Sequence, residues 1–168
     1  VNIQYSYDFF KDFNFQLFTN YSNVDGGNVY FPEFDSPETN NGIAENINGD
    51  EIFLIYNKMK YKDLTFSGFF SARNKNIPTA PYETVFNEPI EYYEAKGFLD
   101  IKNVFNLFFD KILIPRIYYD YYSYSSYYPY EDDYYTKDHN VVELLGAEIQ
   151  YLWDIMPNYR LTSGIEYR

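Results

Sequence analysis

Leu64-Thr65-Phe66-Ser67-Gly68-Phe69-Phe70-Ser71, reached across Lys62-Asp63 from Phe53-Leu54-Ile55-Tyr56-Asn57-Lys58-Met59-Lys60-Tyr61, is the stretch whose reading decides the fold. Leu64, Phe66, Gly68 and Phe70 alternate with Thr65, Ser67, Phe69 and Ser71, the period of a β-strand with two unlike faces. The preceding run carries Phe53, Ile55, Met59 and Tyr61 on one side, and two intervening residues are hairpin spacing. Beyond Arg73 the chain enters Asn76-Ile77-Pro78-Thr79-Ala80-Pro81-Tyr82-Glu83-Thr84-Val85-Phe86-Asn87-Glu88-Pro89. Its prolines cannot donate to a sheet ladder, so it reads as a long loop. The unit is therefore strand, tight turn, strand, long loop.

The same unit repeats in both directions. Val1, Ile3, Tyr5, Tyr7 and Phe9 alternate with polar residues up to a turn at Lys11-Asp12, and Phe13, Phe15, Leu17 and Tyr21 alternate after it. Periodicity stops from about Asn23 to Gly49, the first long loop. A strand from about Tyr92 to Val104 places Gly97, Leu99 and Ile101 opposite Lys96, Phe98, Asp100 and Lys102. A turn near Asn106 to Asp110 leads into a tyrosine-rich strand from about Ile112 to Tyr124. A third long loop reads from Ser125 to His139. Leu145, Ala147, Ile149 and Tyr151 form the next strand, Met156-Pro157-Asn158 turns the chain, and Tyr159, Leu161, Ile165 and Tyr167 form the last.

The expected fold is an all-β antiparallel up-and-down meander of about eight long strands. Period-2 alternation also fits a soluble sandwich or a lipocalin-like barrel. Three features favour a transmembrane outer-membrane β-barrel. The strands reach roughly ten residues, enough to cross a bilayer. Short and long connections alternate, as periplasmic turns and extracellular loops do. Aromatics gather at turns: Phe9, Phe10 and Phe13, then Tyr61, then Phe105, Phe108 and Phe109, as an interfacial girdle would. On this reading Leu64, Phe66, Phe70, Leu99, Ile101, Leu145 and Ile149 face lipid and the polar residues of each strand face the lumen.

Composition is compatible. No run approaches the roughly 18 apolar residues of a membrane helix, yet 46% of residues are hydrophobic and 23% aromatic, too many for a disordered chain. Alternation hides hydrophobicity, so a mean hydropathy of -0.50 does not exclude insertion. The absence of cysteine removes disulfide and thiol chemistry. A net charge of -12 argues against nucleic acid as a partner. From Asp25 to Glu51 there are seven acids and no lysine or arginine, which reads as an acidic surface loop.

Candidate sites follow from the loops. Tyr118 to Tyr135 holds ten tyrosines with Asp120, Glu131, Asp132 and Asp133, where amphipathic rings offer stacking and hydrogen bonding. The candidate ligand contacts are Tyr82, Phe86 and Asn87 in the proline-rich loop and Tyr124, Tyr128 and Tyr130 in the tyrosine-rich stretch. His139, beside Asp138, is the single histidine, which is too few ligands for a metal centre. The same histidine would have to serve any Ser-His-acid set, and no Gly-x-Ser-x-Gly elbow is present, so no enzyme and no cofactor are expected. Glu148 and Glu166 are expected in the lumen with Arg160 and Arg168 as partners.

Tyr30-Phe31-Pro32-Glu33-Phe34-Asp35 with Asn40-Asn41-Gly42-Ile43-Ala44 resembles a loop from the barrel of TonB-dependent outer-membrane receptors. The resemblance continues in order through Tyr61-Lys62-Asp63-Leu64-Thr65-Phe66-Ser67-Gly68, then Arg73, Asn76 and Ile77-Pro78-Thr79, and Thr84-Val85-Phe86-Asn87-Glu88-Pro89. It ends with Gly97-Phe98-Leu99-Asp100-Ile101, Tyr118-Tyr119-Asp120-Tyr121, Gly146-Ala147-Glu148-Ile149-Gln150 and Leu161-Thr162-Ser163-Gly164-Ile165-Glu166-Tyr167-Arg168. It covers the chain from about Asn14.

The resemblance implies import of a scarce nutrient, such as a ferric siderophore or a cobalamin-like ligand, across the outer membrane of a Gram-negative bacterium. It also implies a barrel of about 22 strands with a plug, coupled through that plug to a TonB-type energy-transducing complex. Neither a plug nor a TonB-box segment lies in the sequence, and strand alternation runs from Val1 to Arg168. Residues 1–168 are therefore expected to be a single segment of a larger barrel. The alternative is a small closed eight-stranded outer-membrane barrel with a structural or adhesin role, in which the first and last strands would pair.

Overall fold

A computed structural model describes residues 1–168 as one large antiparallel sheet with folded connections at one end. The strands are β1 (Asn2–Phe10), β2 (Phe13–Val24), β3 (Val29–Tyr30), β4 (Ile43–Ala44), β5 (Asp50–Tyr61), β6 (Leu64–Ile77), β7 (Ile90–Asn103), β8 (Phe105–Phe108), β9 (Lys111–Pro129), β10 (Tyr135–Met156) and β11 (Tyr159–Tyr167). The main sheet runs β1-β2-β5-β6-β7-β9-β10-β11, every neighbour antiparallel, with β8 prolonging the β7 position against β9. The short pair β3-β4 stands apart. The expected eight-position meander is therefore present. β1 does not pair with β11, so the sheet is open and the closed eight-stranded alternative is not what forms.

Four connections at one end are tight. Asp12, Lys62 and Asn158 take left-handed backbone there, with φ of 70°, 53° and 73°; Asp and Asn bear that conformation well because their short side chains bond locally. Register shifts of the bulge kind fall just before three of these turns, between Asp8 and Phe10, Asn106 and Phe108, and Asp154 and Met156. Aromatic rings collect beside them. Phe10 stacks on Phe13 at 5.1 Å and meets Tyr61 edge-on at 6.1 Å. The indole of Trp153 donates to Asp110 at 2.9 Å, with Lys111 over its ring.

Register converts the alternation into two continuous faces. Tyr7, Phe15, Met59, Phe66, Ile101, Ile117, Ala147 and Tyr167 occupy one cross-strand row. The seven residues expected to face outward share this face, and Leu64, Phe70, Leu99, Ile101, Leu145 and Ile149 are exposed on it. Its charged groups, Lys111 apart, sit towards the loop end: Glu51, Glu91, Lys137 and Glu143. The neighbouring row, Ser6, Gln16, Lys58, Ser67, Asp100, Tyr118 and Gly146, belongs to the opposite, polar face. A line of larger rings crosses that face too, where Phe69 stacks on Phe98 at 5.7 Å.

Away from the loop end, no layer covers either face. Only 13 of 168 residues are buried, so burial of a core cannot be what orders this chain. The backbone ladder is: 95 of 110 backbone hydrogen bonds lie within its regular elements. Ion pairs reinforce the polar side. Arg116 bridges Asp100 and Glu148, Arg160 forks onto Asp154 at 2.6 and 2.9 Å, and Arg168 onto Glu166 at 3.0 and 3.1 Å. Glu148 is thus partnered by Arg116 and not by Arg160, because pairing of β9 with β10 sets Arg116 directly opposite it.

Three boundaries differ from the sequence reading. The stretch Ser125–His139 is mostly strand: β9 runs to Pro129 and β10 starts at Tyr135, leaving a short tip. Its Ser, Asp and Pro content suggests a loop, but Tyr124, Ser126 and Tyr128 keep the period, and Pro129 closes the strand where its missing N–H matters least. Asn76 and Ile77 belong to β6, and the turn expected at Asn106–Asp110 is confined to Phe109 and Asp110 by β8.

One close packing on the polar face is testable. Gly146 lies opposite Tyr118, and a Cβ there would stand 2.2 Å from Tyr118 Cζ. Tyr118 is held by the Arg116 guanidinium 4.6 Å from its ring centre and by its hydroxyl donating to Glu166. Gly146→Ala is expected to destabilise the sheet by about 1–3 kcal/mol in denaturant unfolding, the usual range for overpacking. Combined with Tyr118→Ala it should cost clearly less than the sum of the two single changes; strict additivity would mean that the ring does not occupy the space over Gly146.

Candidate functional site

The long connections all leave from the end opposite the tight turns. The first, residues 25–49, is folded by local bonds: Phe31 and Gly42 pair through their backbones, and Asn40 Nδ2 donates to the Ile43 carbonyl at 2.8 Å. Gly42 has φ +71°, and a Cβ there would meet the Phe31 oxygen at 2.6 Å, so only glycine fits. The second, residues 78–89, docks on the first. Phe86 stacks on Phe34 at 4.4 Å and meets Phe31 edge-on at 6.0 Å, and the Glu45 N–H donates to Asn87 Oδ1 at 2.8 Å. The Val85 N–H then donates to the Pro129 carbonyl at 3.1 Å, joining the third connection. Ala44 and Ile90 are fully buried beneath these contacts. The loop end is one assembled cap.

Under the cap, on the polar face, lies a cluster of phenols. Tyr124, Ser126 and Tyr128 follow one another at spacing two on β9, so they share a face. Tyr92 of β7 pairs with Ser126, which sets it diagonally between the two tyrosines. Its ring centre is 5.8 Å from that of Tyr124 and 6.0 Å from that of Tyr128. The Tyr124 and Tyr128 hydroxyls are 3.4 Å apart. Tyr82, reaching over from the second connection, meets Tyr128 edge-on at 5.9 Å and is 72% exposed. At the centre, Ser126 Oγ is buried and has no hydrogen-bond partner. Burial, with the Tyr128 hydroxyl beside it, pushes the Tyr92 phenol well above its ordinary value, so it stays a neutral donor.

An ionic cluster adjoins the rings. Lys75 is the cross-strand partner of Tyr92 on the other side. Its ammonium donates to the Asn48 carbonyl at 3.1 Å and lies 3.7 Å from Asp50. Arg73 forks onto Asp50 at 2.9 and 2.6 Å. The Arg73 guanidinium, with Lys75 adding to it, holds the Asp50 carboxyl below its ordinary value. Such a group can offer ring faces and phenolic donors to a ligand that is planar or rich in hydroxyls. No group of three or more His, Asp or Glu stands where it would hold a metal ion.

The residues singled out from sequence divide into two sets. Tyr82, Tyr124 and Tyr128 meet in the cluster. Phe86 and Asn87 fasten loop to loop. Tyr130 lies at the hairpin tip, its N–H donating to the Tyr134 carbonyl at 2.8 Å and its ring 5.8 Å from that of Tyr134. Asp138 and His139 are consecutive in β10, so they point to opposite faces and do not act together. Tyr92 and Ser126 are the members that sequence reasoning missed. Alternation places each on a face, but only the β7-β9 register brings them to one spot.

The Asp50 pairing makes the cap edge sensitive to acid. Asp50 has a lowered folded-state pKa, so its contribution to stability is complete above the unfolded value, about 3.9, and is lost as pH falls through the folded value. Proteolysis of the first connection is expected to accelerate below about pH 4, and Asp50→Asn should flatten that dependence. A variant as acid-sensitive as the parent would assign the transition to other carboxylates. Comparison with protein families, with curated proteins and with solved structures finds no match to the chain.

Proposed function

We propose that this chain is part of the wall of a transmembrane β-barrel in the outer membrane of a Gram-negative bacterium. The observation that carries the reading is the two-faced sheet: one face apolar across all eight positions and exposed, the other ionic. In water an uncovered apolar face of this extent is a liability; against acyl chains it is what a barrel wall presents. The stretch from Tyr61 to Glu51, which bounds the apolar part of β5, is about 34 Å along the strand at about 3.4 Å per residue, or about 25 Å once tilted as barrel strands are. That matches the hydrocarbon thickness a barrel spans.

The barrel is further proposed to be a TonB-dependent receptor that imports a scarce nutrient, such as a ferric siderophore or a cobalamin-like ligand, with a TonB-type complex as its energy source. The loop-end cap and the phenol cluster beneath it support a mouth that holds a small molecule. The open edges at β1 and β11 suit a wall that continues through further strands, since an unpaired edge inside a membrane leaves backbone groups unsatisfied.

The wall reading is tested by charge placed on each face. Phe70→Lys, near mid-height of the span, should cost about 2–4 kcal/mol of membrane assembly, and Ser67→Lys much less, because its side chain faces the polar side. The reverse order in a vesicle-folding assay would invert the faces. The receptor reading is tested on the coding sequence around this segment: a plug-like domain upstream and more amphipathic strands are expected. A frame that encodes only these eight strands would overturn it.

A further inference from the structure

On the apolar side of the sheet, towards the loop end, lies a shallow cavity of about 790 Å³. Register builds it from two successive cross-strand rows. Asn74, Tyr93, Ser125 and His139 make the first, and Glu91, Tyr127 and Lys137 the second. They follow directly on Ala72, Ala95, Ser123 and Val141, an uncharged row of the same face. The cavity is therefore on the outward side and not among the phenols, which face the other way.

Its chemistry is that of a surface meeting a polar headgroup. Lys137 Nζ lies over the rings of Tyr127 and Tyr135, 5.8 and 5.2 Å from their centres, and takes part in no salt bridge. Glu91 and Asp138 also line the cavity and Glu51 is the cross-strand partner of Asn74, but Tyr127 stands between Glu91 and Lys137, and Asp138, next to Lys137 in β10, points to the other face. Asn74, Ser125, Tyr93 and His139 add groups that bond to hydroxyls and phosphate oxygens. Each row is about 7 Å further along the strand, so Lys137 lies about 14 Å along β10 beyond Val141, on the loop side of the apolar residues.

We propose that this cavity binds the phosphate of an anionic lipid through Lys137 and His139, with the headgroup hydroxyls on Asn74, Tyr93 and Ser125 and the acyl chains lying against the apolar residues below. The inference rests on the wall reading. It gives the outward side a specific lipid contact besides a general apolar one, at a point where an otherwise acidic chain shows an unneutralised cation.

The test is native mass spectrometry of the full chain in micelles containing phosphatidylcholine and phosphatidylglycerol together. Phosphatidylglycerol should be retained about fivefold over phosphatidylcholine, the effect of one lysine near an anionic headgroup. Lys137→Ala should abolish that preference, while Lys137→Arg keeps it. Lys96→Ala, which removes the same charge from the polar face, should also leave it intact. Equal retention of the two lipids, or a preference unchanged in Lys137→Ala, overturns the headgroup site and leaves the wall reading standing. Loss of the preference on adding inorganic phosphate at matched ionic strength makes the occupant a free anion and overturns the lipid assignment. Retention of neither lipid overturns the wall reading itself.

Discussion

A single sheet with no second layer has to settle its two faces separately, and everything else in this chain depends on that constraint. In a sandwich, each sheet hides its apolar face against the other. Here the strands are joined edge to edge over eight positions and nothing in the chain lies on Phe66, Leu99, Ile101 or Leu145. The ladder supplies order along the strands, but it does not say what the apolar side chains rest against. That gap is the observation on which the proposed membrane wall rests.

The polar face meets the same constraint differently. Arg116 is shared by Asp100 and Glu148, and Tyr118 lies between Arg116 and Glu166, using the room that Gly146 leaves. Exposed pairs of this kind contribute little singly. Their effect is on register: a slip of β9 by one residue would put Arg116 among Ile101 and Ala147 and separate it from Asp100 and Glu148. Alternation with the ion pairs on one side thus helps to fix pairing.

This explains which parts of the structure are legible in the sequence. The faces of β5, β6 and β7 are local facts, since period two is visible in any stretch such as Leu64–Ser71. The third connection is misjudged because composition and period disagree there: Ser125, Ser126, Pro129 and the acids after it speak for a loop, while the tyrosines speak for strand. Partnership across the sheet favours the period. The candidate site is only half legible. Tyr124 and Tyr128 are two residues either side of Ser126 and so share a face, but Tyr92 joins them through a register more than thirty residues away in sequence. Phe86 and Asn87 look like ligand contacts for the same reason that they are loop fasteners: a ring and an amide in a proline-rich loop serve either end, and only the position of Phe34 and Glu45 decides.

That fastening bears on how the mouth of such a wall would work. Long connections ordinarily lose entropy when they close on a ligand. Here the Phe34-Phe86 stack, the Glu45–Asn87 hydrogen bond and the Val85–Pro129 hydrogen bond already hold the connections together without one. A molecule held over Tyr92, Tyr124 and Tyr128 would therefore meet rings whose neighbours are fixed, with Tyr82 as the most exposed of the four. Selectivity on such a surface would come from shape and from the phenolic hydroxyls more than from folding of the loops around the guest. The ionic cluster of Asp50, Arg73 and Lys75 is internally paired, so it anchors the base of the first connection more than it draws in a charged ligand. A neutral, ring-bearing or hydroxylated guest is accordingly the better match to the phenols than a strongly charged one.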